Sequence, residues 1–212
     1  MTVDGRVARG ERTRTAVLDA AVVLATEAGL HGLSLAQLAD TLGVSKSGLF
    51  AHWRSKEALQ LATVDRAVEQ WQERIVGPAL RAPRGVRRIR ALHEARIDFY
   101  AARVLPGGCF FANTEFEYNA RPGPVRDRLA EAFDRWTAFL ERLVGEAVAA
   151  GELRDDVDVR QLAYEIDALG IAAAMRSRLL DPDTAYRHAR RGVLHRLRAS
   201  CTDPTLLPEG QP

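Results

Sequence analysis

Apolar residues return every three or four positions through most of this chain, and that spacing constrains its fold more than any other feature. Val17, Leu18, Ala21, Leu24, Ala25 and Ala28 share one helical face, and Gly29 follows as a stop. Val125, Leu129, Phe133, Trp136, Leu140, Leu143 and Ala147 form a longer stripe that ends at Gly151. No segment alternates with period two, so no strand is expected, and no internal repeat is visible. The expected fold class is all-α. Side chains that accept from free backbone N–H groups mark helix starts. Ser34 precedes LAQLADTL, Ser45 precedes KSGLFAHW, and Ser55 precedes KEALQLATVDRAVEQWQERIV, which Gly77-Pro78 should stop. Further helices are expected near 84–104, 109–119, 125–150, 158–179 and 183–200, with CTDPTLLPEGQP fraying after them.

Composition narrows the function classes. Apolar residues make up 47 % of the 212, enough for a packed core. A formal charge of +2 is far from that of a general polyanion binder, so any nucleic-acid contact must come from a local patch. The two lysines, Lys46 and Lys56, fall in one short stretch of a chain otherwise reliant on arginine. Either the coding bias favours arginine, or compact ammonium groups are kept where phosphate is met. Cys109 and Cys201 are too few for a disulfide framework and fit a reducing compartment. The N-terminus lacks an apolar leader and no apolar run nears the ~20 residues of a membrane span, so a soluble, cytoplasmic protein is expected. The five histidines show no ligand spacing, so neither metal nor cofactor is expected. The absence of a Ser/His/Asp constellation or a glycine-rich phosphate loop argues against an enzyme.

Residues 34–59, SLAQLADTLGVSKSGLFAHWRSKEAL, carry the sharpest pattern. Leu35, Leu38, Ala39 and Leu42 should face inward from one short helix. Gly43 permits a left-handed turn and Val44 is expected to plug the elbow. Leu49, Phe50 and Trp53 should line the inner face of the next helix. Ser45, Lys46, Ser47 and His52 are then left on its outer face, as donors suited to phosphates and base edges.

This stretch, with RTAVLDAAVVLATEAG before it, resembles the tetracycline-repressor (TetR) family of bacterial regulators. The resemblance implies that Lys46 and Ser47 open a recognition helix. It also implies that His52 and Trp53 form its phosphate-contacting end, that Lys56 meets the DNA backbone, and that Arg14 stands at the start of the first helix. Ser34 and Ser45 are counted in the same DNA-binding set. Ala51 and Ala16 depart from the family pattern. Residues 1–60 hold seven cations and six acids, so the patch is local: Arg6, Arg9, Arg12 and Arg14 on one side, Lys46, Arg54 and Lys56 on the other. The expected plan is a helix-turn-helix DNA-binding domain over 1–58. A long helix joins it to a helical effector-binding and dimerisation domain over 59–204, and a flexible tail covers 205–212.

The second domain is rich in aromatics with polar groups among them, the composition of small-molecule sites. Trp71, Phe99, Phe110, Asn113, Glu117, Trp136, Phe139, Asp167 and Met175 are the candidate effector-binding residues. A cavity-facing Glu117 or Asp167 would suit a cationic or hydroxylated ligand. The last two helices are apolar on more than one face. By the resemblance they form a four-helix dimer interface, with Leu162, Ile166, Ala173, Ala189, Gly192 and Val193 as candidates. Seven arginines against two acids over 81–103 make either a solvated face or ion pairs with acids near 115–117 or 152–158. Cys109 is either a redox-sensitive thiolate at a helix start or a small buried side chain. The expected function is a sequence-specific regulator: a homodimer on double-stranded operator DNA, acting as a repressor released by a small-molecule effector. The alternative is a DNA-binding regulator without a small ligand, controlled by a protein partner or by redox state.

Overall fold

A computed structural model describes the backbone of residues 3–209 and all side chains there except those of 3–12, 46, 50 and 51. The expectations placed on the side chains of Arg6, Arg9, Arg12, Lys46, Phe50 and Ala51 lie outside the described residues. The helices are α1 (Val3–Ala28), α2 (Leu35–Leu42), α3 (Lys46–His52), α4 (Lys56–Trp71), α5 (Gly77–Ala79), α6 (Val86–Ala101), α7 (Phe110–Tyr118), α8 (Pro124–Ala149), α9 (Val159–Arg176) and α10 (Pro182–Ser200). Among the described residues there is no strand, only one isolated antiparallel bridge between Leu153 and Cys201. The chain divides into two compact units, Met1–Glu69 with Leu105–Ala130, and Gln70–Val104 with Glu131–Pro212. This division differs from the boundary expected at 58: the first unit runs on through α4 to Glu69 and also takes in α7 and the start of α8.

In the first unit the capping residues act as the sequence implies. Ser34 is extended (φ −134°, ψ 149°) and accepts from the Gln37 N–H at 3.1 Å. Ser45 accepts from Gly48 N–H and Ser55 from Ala58 N–H. Gly43 ends α2 in the left-handed region (φ 64°, ψ 30°), where a side chain would be strained. The N–H groups of Gly43 and Val44 both reach back to the last carbonyls of α2. That closure is made by backbone alone, so Val44 does not plug the elbow as expected; its side chain is 40 % exposed. The core below is Val17, Ala21, Val22, Ala25, Leu30, Leu33, Leu38, Leu49, Trp53 and Leu59, all buried. α1 begins at Val3, so Arg14 lies within the first helix and not at its start.

The second unit builds its core from α6, α9 and α10. Ile89, Leu92 and Ile97 meet Leu162, Ile166 and Ala173 of α9 and Ala189, Val193 and Leu197 of α10, all at most 3 % exposed. This corrects the expected dimer interface. Leu162, Ile166, Ala173, Ala189 and Val193 are buried within a single chain, and Gly192 fits closely against Leu169, whose Cδ1 would lie 3.2 Å from an added Cβ. The candidate residues lie on the face that α6 and the two helices themselves cover, so they are not the face left for a partner. Of the arginines of 81–103, Arg87 pairs with an acid of the expected segments, Glu152 at 3.8 Å, while Arg90 pairs with Glu94 and Arg96 with Asp167, acids outside those segments.

Two further expectations are overturned here. Gly77-Pro78 does not stop the fourth helix. Residues 72–76 form a π-helical turn in which the Gly77 N–H reaches the Gln72 carbonyl, and Pro78 enters at the start of α5, where its missing N–H costs little. Nor does the tail fray through 209. Leu207 is 3 % exposed, and Arg198 Nη1 donates to the carbonyls of Pro204, Leu207 and Pro208 at 2.9–3.0 Å. The Thr202 hydroxyl adds a bond to the Gly151 carbonyl.

Candidate nucleic-acid interface and effector site

α3 presents a small, polar outer face. Ser45, Ser47, His52, Arg54 and Lys56 are exposed, while Leu49 and Trp53 anchor the opposite side at 3 % exposure each. A short helix held by two buried side chains and capped at both ends can offer its first turn to a groove without losing its support. Arg14 is exposed at α1, and Ser34 is half-buried with its hydroxyl committed to the α2 cap. Trp53 is the exception among the expected DNA contacts. Its indole is a floor of the head, 5.5 Å from the His52 ring, and is closed to phosphate because apolar burial outweighs exposure of so large a ring.

A clamp within the first unit was not anticipated. The Gly107 N–H donates to Thr26 Oγ1 at 3.1 Å, and Asn113 Nδ2 donates to the Thr26 and Gly107 carbonyls. The Glu117 carboxylate accepts from the Leu30 and His31 N–H groups, both at 2.8 Å. These bonds pin α7 to the end of α1 and to the loop leading into α2. Asn113 and Glu117, read from sequence as effector contacts, are used here by the fold. Their spacing of four, on one helical face, was the available signal. Phe110 is also in this unit, buried edge-on to Phe111.

The second unit does bring five candidates together. Trp71 stands edge-on to Phe99 (6.4 Å) and to Trp136 (5.3 Å), and Trp136 lies 6.0 Å from Phe139. Asp167 accepts from Trp136 Nε1 at 2.8 Å and from Arg96 Nη1 at 2.7 Å. The Arg96 guanidinium sits 5.4–5.8 Å from the ring centres of Trp71, Tyr100 and Trp136. Sequence reading missed Arg96 because a single arginine in an arginine-rich helix carries no mark of burial. Met175, by contrast, is 41 % exposed. A separate groove of about 920 Å³ is lined by Arg90, Arg187, Arg191 and His195 and shares no residue with this cluster. Among the described residues no group of three or more His, Cys, Asp or Glu side chains is placed to hold a metal, and no helix is long and apolar enough to cross a membrane.

The comparisons with known proteins agree with this arrangement. Residues 17–63 match the bacterial regulatory proteins of the tetR family, and residues 85–193 match the tetracyclin repressor-like C-terminal domain. The HTH-type transcriptional repressor ComR of Escherichia coli is 26 % identical over 157 residues, 74 % of this chain and 75 % of its own length. A TetR transcriptional regulator from Chloroflexus aurantiacus superposes with a TM-score of 0.80 at 30 % identity, over 90 % of this chain and 94 % of that one. AibR, solved with isovaleryl coenzyme A and operator DNA, shares the fold at 21 % identity and a TM-score of 0.64, over 82 % of this chain and 94 % of its own. A capped, outward-facing helix on a helical body, matched in both halves, makes this chain a DNA-binding transcriptional regulator of the TetR family.

Proposed function

We propose that this regulator is a repressor that binds operator DNA as a homodimer through α3 and releases it when a small molecule occupies the second unit. The outward polar face of α3, with Ser45, Ser47 and His52 exposed over a buried Leu49 and Trp53, carries this reading. Arg14, Lys46 and Lys56 supply phosphate contacts beside it. The name of ComR supports repression, and the AibR complex supports joint control by a ligand and DNA. Trp71, Phe99, Trp136, Phe139 and Asp167 are the effector-site core. Both cysteines are buried, which gives redox control no support. The protein acts in the cytoplasm, where its DNA lies, and catalyses no reaction.

In a mobility-shift assay with the DNA upstream of its own gene, binding is expected to weaken steeply with salt. Lys46→Ala and Lys56→Ala should each weaken it and reduce the salt slope by about 1. Unchanged slopes in both variants would remove these lysines from the interface.

A dimer surface remains on the uncovered side of α9. Tyr164 (70 % exposed) and Met175 (41 %) recur there with Ala168, and Leu179 (89 %) follows just past the end of the helix, an apolar stripe that a monomer would leave in water. Tyr164→Asp combined with Leu179→Asp is expected to halve the mass seen by light scattering. A dimer that survives both changes would place its contact elsewhere.

A further inference from the structure

Among the described residues Arg96 is the one buried arginine, 5 % exposed. Its side chain is fixed on every side. Nε donates to the Tyr100 hydroxyl at 2.8 Å, and three aromatic faces surround the guanidinium. α9 carries a glycine beside it, at 170, where a Cβ would stand 2.4 Å from Nη1. A glycine inside a helix costs about 1 kcal/mol relative to alanine, and here it opens the slot the guanidinium fills.

Asp167 is held differently. Its side chain is 25 % exposed against 6 % for Arg96. Two donors from other helices, Arg96 Nη1–H and Trp136 Nε1–H, converge on its Oδ1. An arginine and an indole N–H aimed at one oxygen make a receptor for a carboxylate, whichever molecule supplies it. Trp136, half-buried, offers an apolar wall next to that oxygen, and the half-buried Phe139 ring extends it 6.0 Å away. In such a pair the accessible member exchanges and the encased one stays.

We propose that Arg96 and Trp136 form the binding point for a carboxylate effector, an organic acid with an apolar or aromatic body, and that Asp167 fills this point in the effector-free protein. The proposal rests on the effector-controlled reading above and names the ligand class. It reverses the sequence-based expectation that Asp167 would attract a cation, because its charge is already matched by Arg96. An entering acid would release Asp167 of α9 from Arg96 of α6 and Trp136 of α8. Arg96 would keep its contact with Trp71, the last residue of α4, the helix that begins at Lys56. The tethered Asp167 is an internal competitor, so it lowers the apparent affinity for any acid.

The test titrates the full-length protein with benzoate, hexanoate and tetramethylammonium, reading tryptophan fluorescence and melting temperature. Asp167→Asn removes the competing charge, leaving a neutral and weaker acceptor, and is expected to bind benzoate about tenfold more tightly than the wild type, with a rise in melting temperature on binding. Trp136→Phe, which lacks the indole donor, should lose several-fold in benzoate affinity. Tetramethylammonium should have no effect on any of the three. Stabilisation of Asp167→Asn by tetramethylammonium but not by benzoate would overturn the proposal and make the cluster a cation cage. If Asp167→Asn does not fold, equal benzoate affinities in the wild type and Trp136→Phe would overturn it as well. Operator release is measured separately by mobility shift. Release by small molecules other than acids, with no carboxylate bound, sinks the site assignment alone. Benzoate binding that never releases DNA sinks only its coupling to the operator.

Discussion

Alanine at position 107 is expected to lower the melting temperature by roughly 6–12 °C. The added Cβ would lie 1.9 Å from the Thr26 carbonyl oxygen, 2.1 Å from its carbon and 2.6 Å from the Glu27 nitrogen. Those are backbone atoms of the last turn of α1, so they do not yield as a side-chain tip would. The loop carrying Gly107 must instead lift from α1. It then gives up the bond from its N–H to Thr26 Oγ1 and disturbs both bonds of Asn113. Overpacking and the lost bonds together amount to about 3 kcal/mol, at 2–4 °C per kcal/mol for a chain of this length. Gly145→Ala is the matched control. It lies inside α8 with nothing within 4 Å of an added Cβ, so it should raise stability by up to about 1 kcal/mol. Thermal unfolding of the two variants checks the contrast, and a Gly107→Ala protein as stable as the wild type would mean that this loop does not bear on α1.

Acid should destabilise the protein through His93. This α6 side chain is 3 % exposed, and neither ring nitrogen has a well-formed hydrogen bond. Its pKa is lowered from 6.5 to about 3, chiefly by burial and next by the Arg96 charge. The nearby Ala189 carbonyl partly opposes the shift despite its imperfect geometry, and Arg190 adds to it. Above pH 6.5 neither the folded nor the unfolded chain protonates this imidazole, and its full contribution to stability is present. Between 6.5 and about 3 the unfolded chain takes up a proton that the folded chain refuses. Stability then falls by about 1.4 kcal/mol per pH unit, until both states are protonated. From pH 7 to pH 5 the loss is about 2 kcal/mol from this residue. His93→Leu removes the ring while keeping the core filled, and urea unfolding at the two pH values should show its acid loss smaller by that amount. Identical losses in the two proteins would show that His93 finds another way to accept its proton.

Local chemistry was readable from residue types, and long-range chemistry was not. Ser34, Gly43 and Ser45 each act on a backbone group within four residues, so their identities alone place α2, the turn and α3. The residue pattern places Trp53 correctly on the inner face of α3, and that burial is what closes it to the phosphate contact the family resemblance implies. Leu162 and Val193 were assigned to a partner because periodicity reports that a face is apolar without saying what covers it. Glu117 met the same difficulty. A carboxylate among aromatics reads as a ligand anchor, while its actual partners, the N–H groups of Leu30 and His31, lie more than 80 positions earlier in the chain. The arginine-rich stretch hid Arg96 among neighbours of the same charge.

The π turn at 72–76 acts as a one-residue shim in the long helix that leaves the DNA-reading head. Leu59, Thr63, Val64, Ala67 and Trp71 are buried on one side of α4. Had regular winding continued, Arg74 and Pro78 would have rotated into that same side. Both are exposed, and Ile75, Val76 and Ala79 are buried instead, one position later. The extra residue therefore resets the phase by about 100°, the angle of a single helical step. It keeps a guanidinium out of the apolar interior and turns Ile75, Val76 and Ala79 inward in its place.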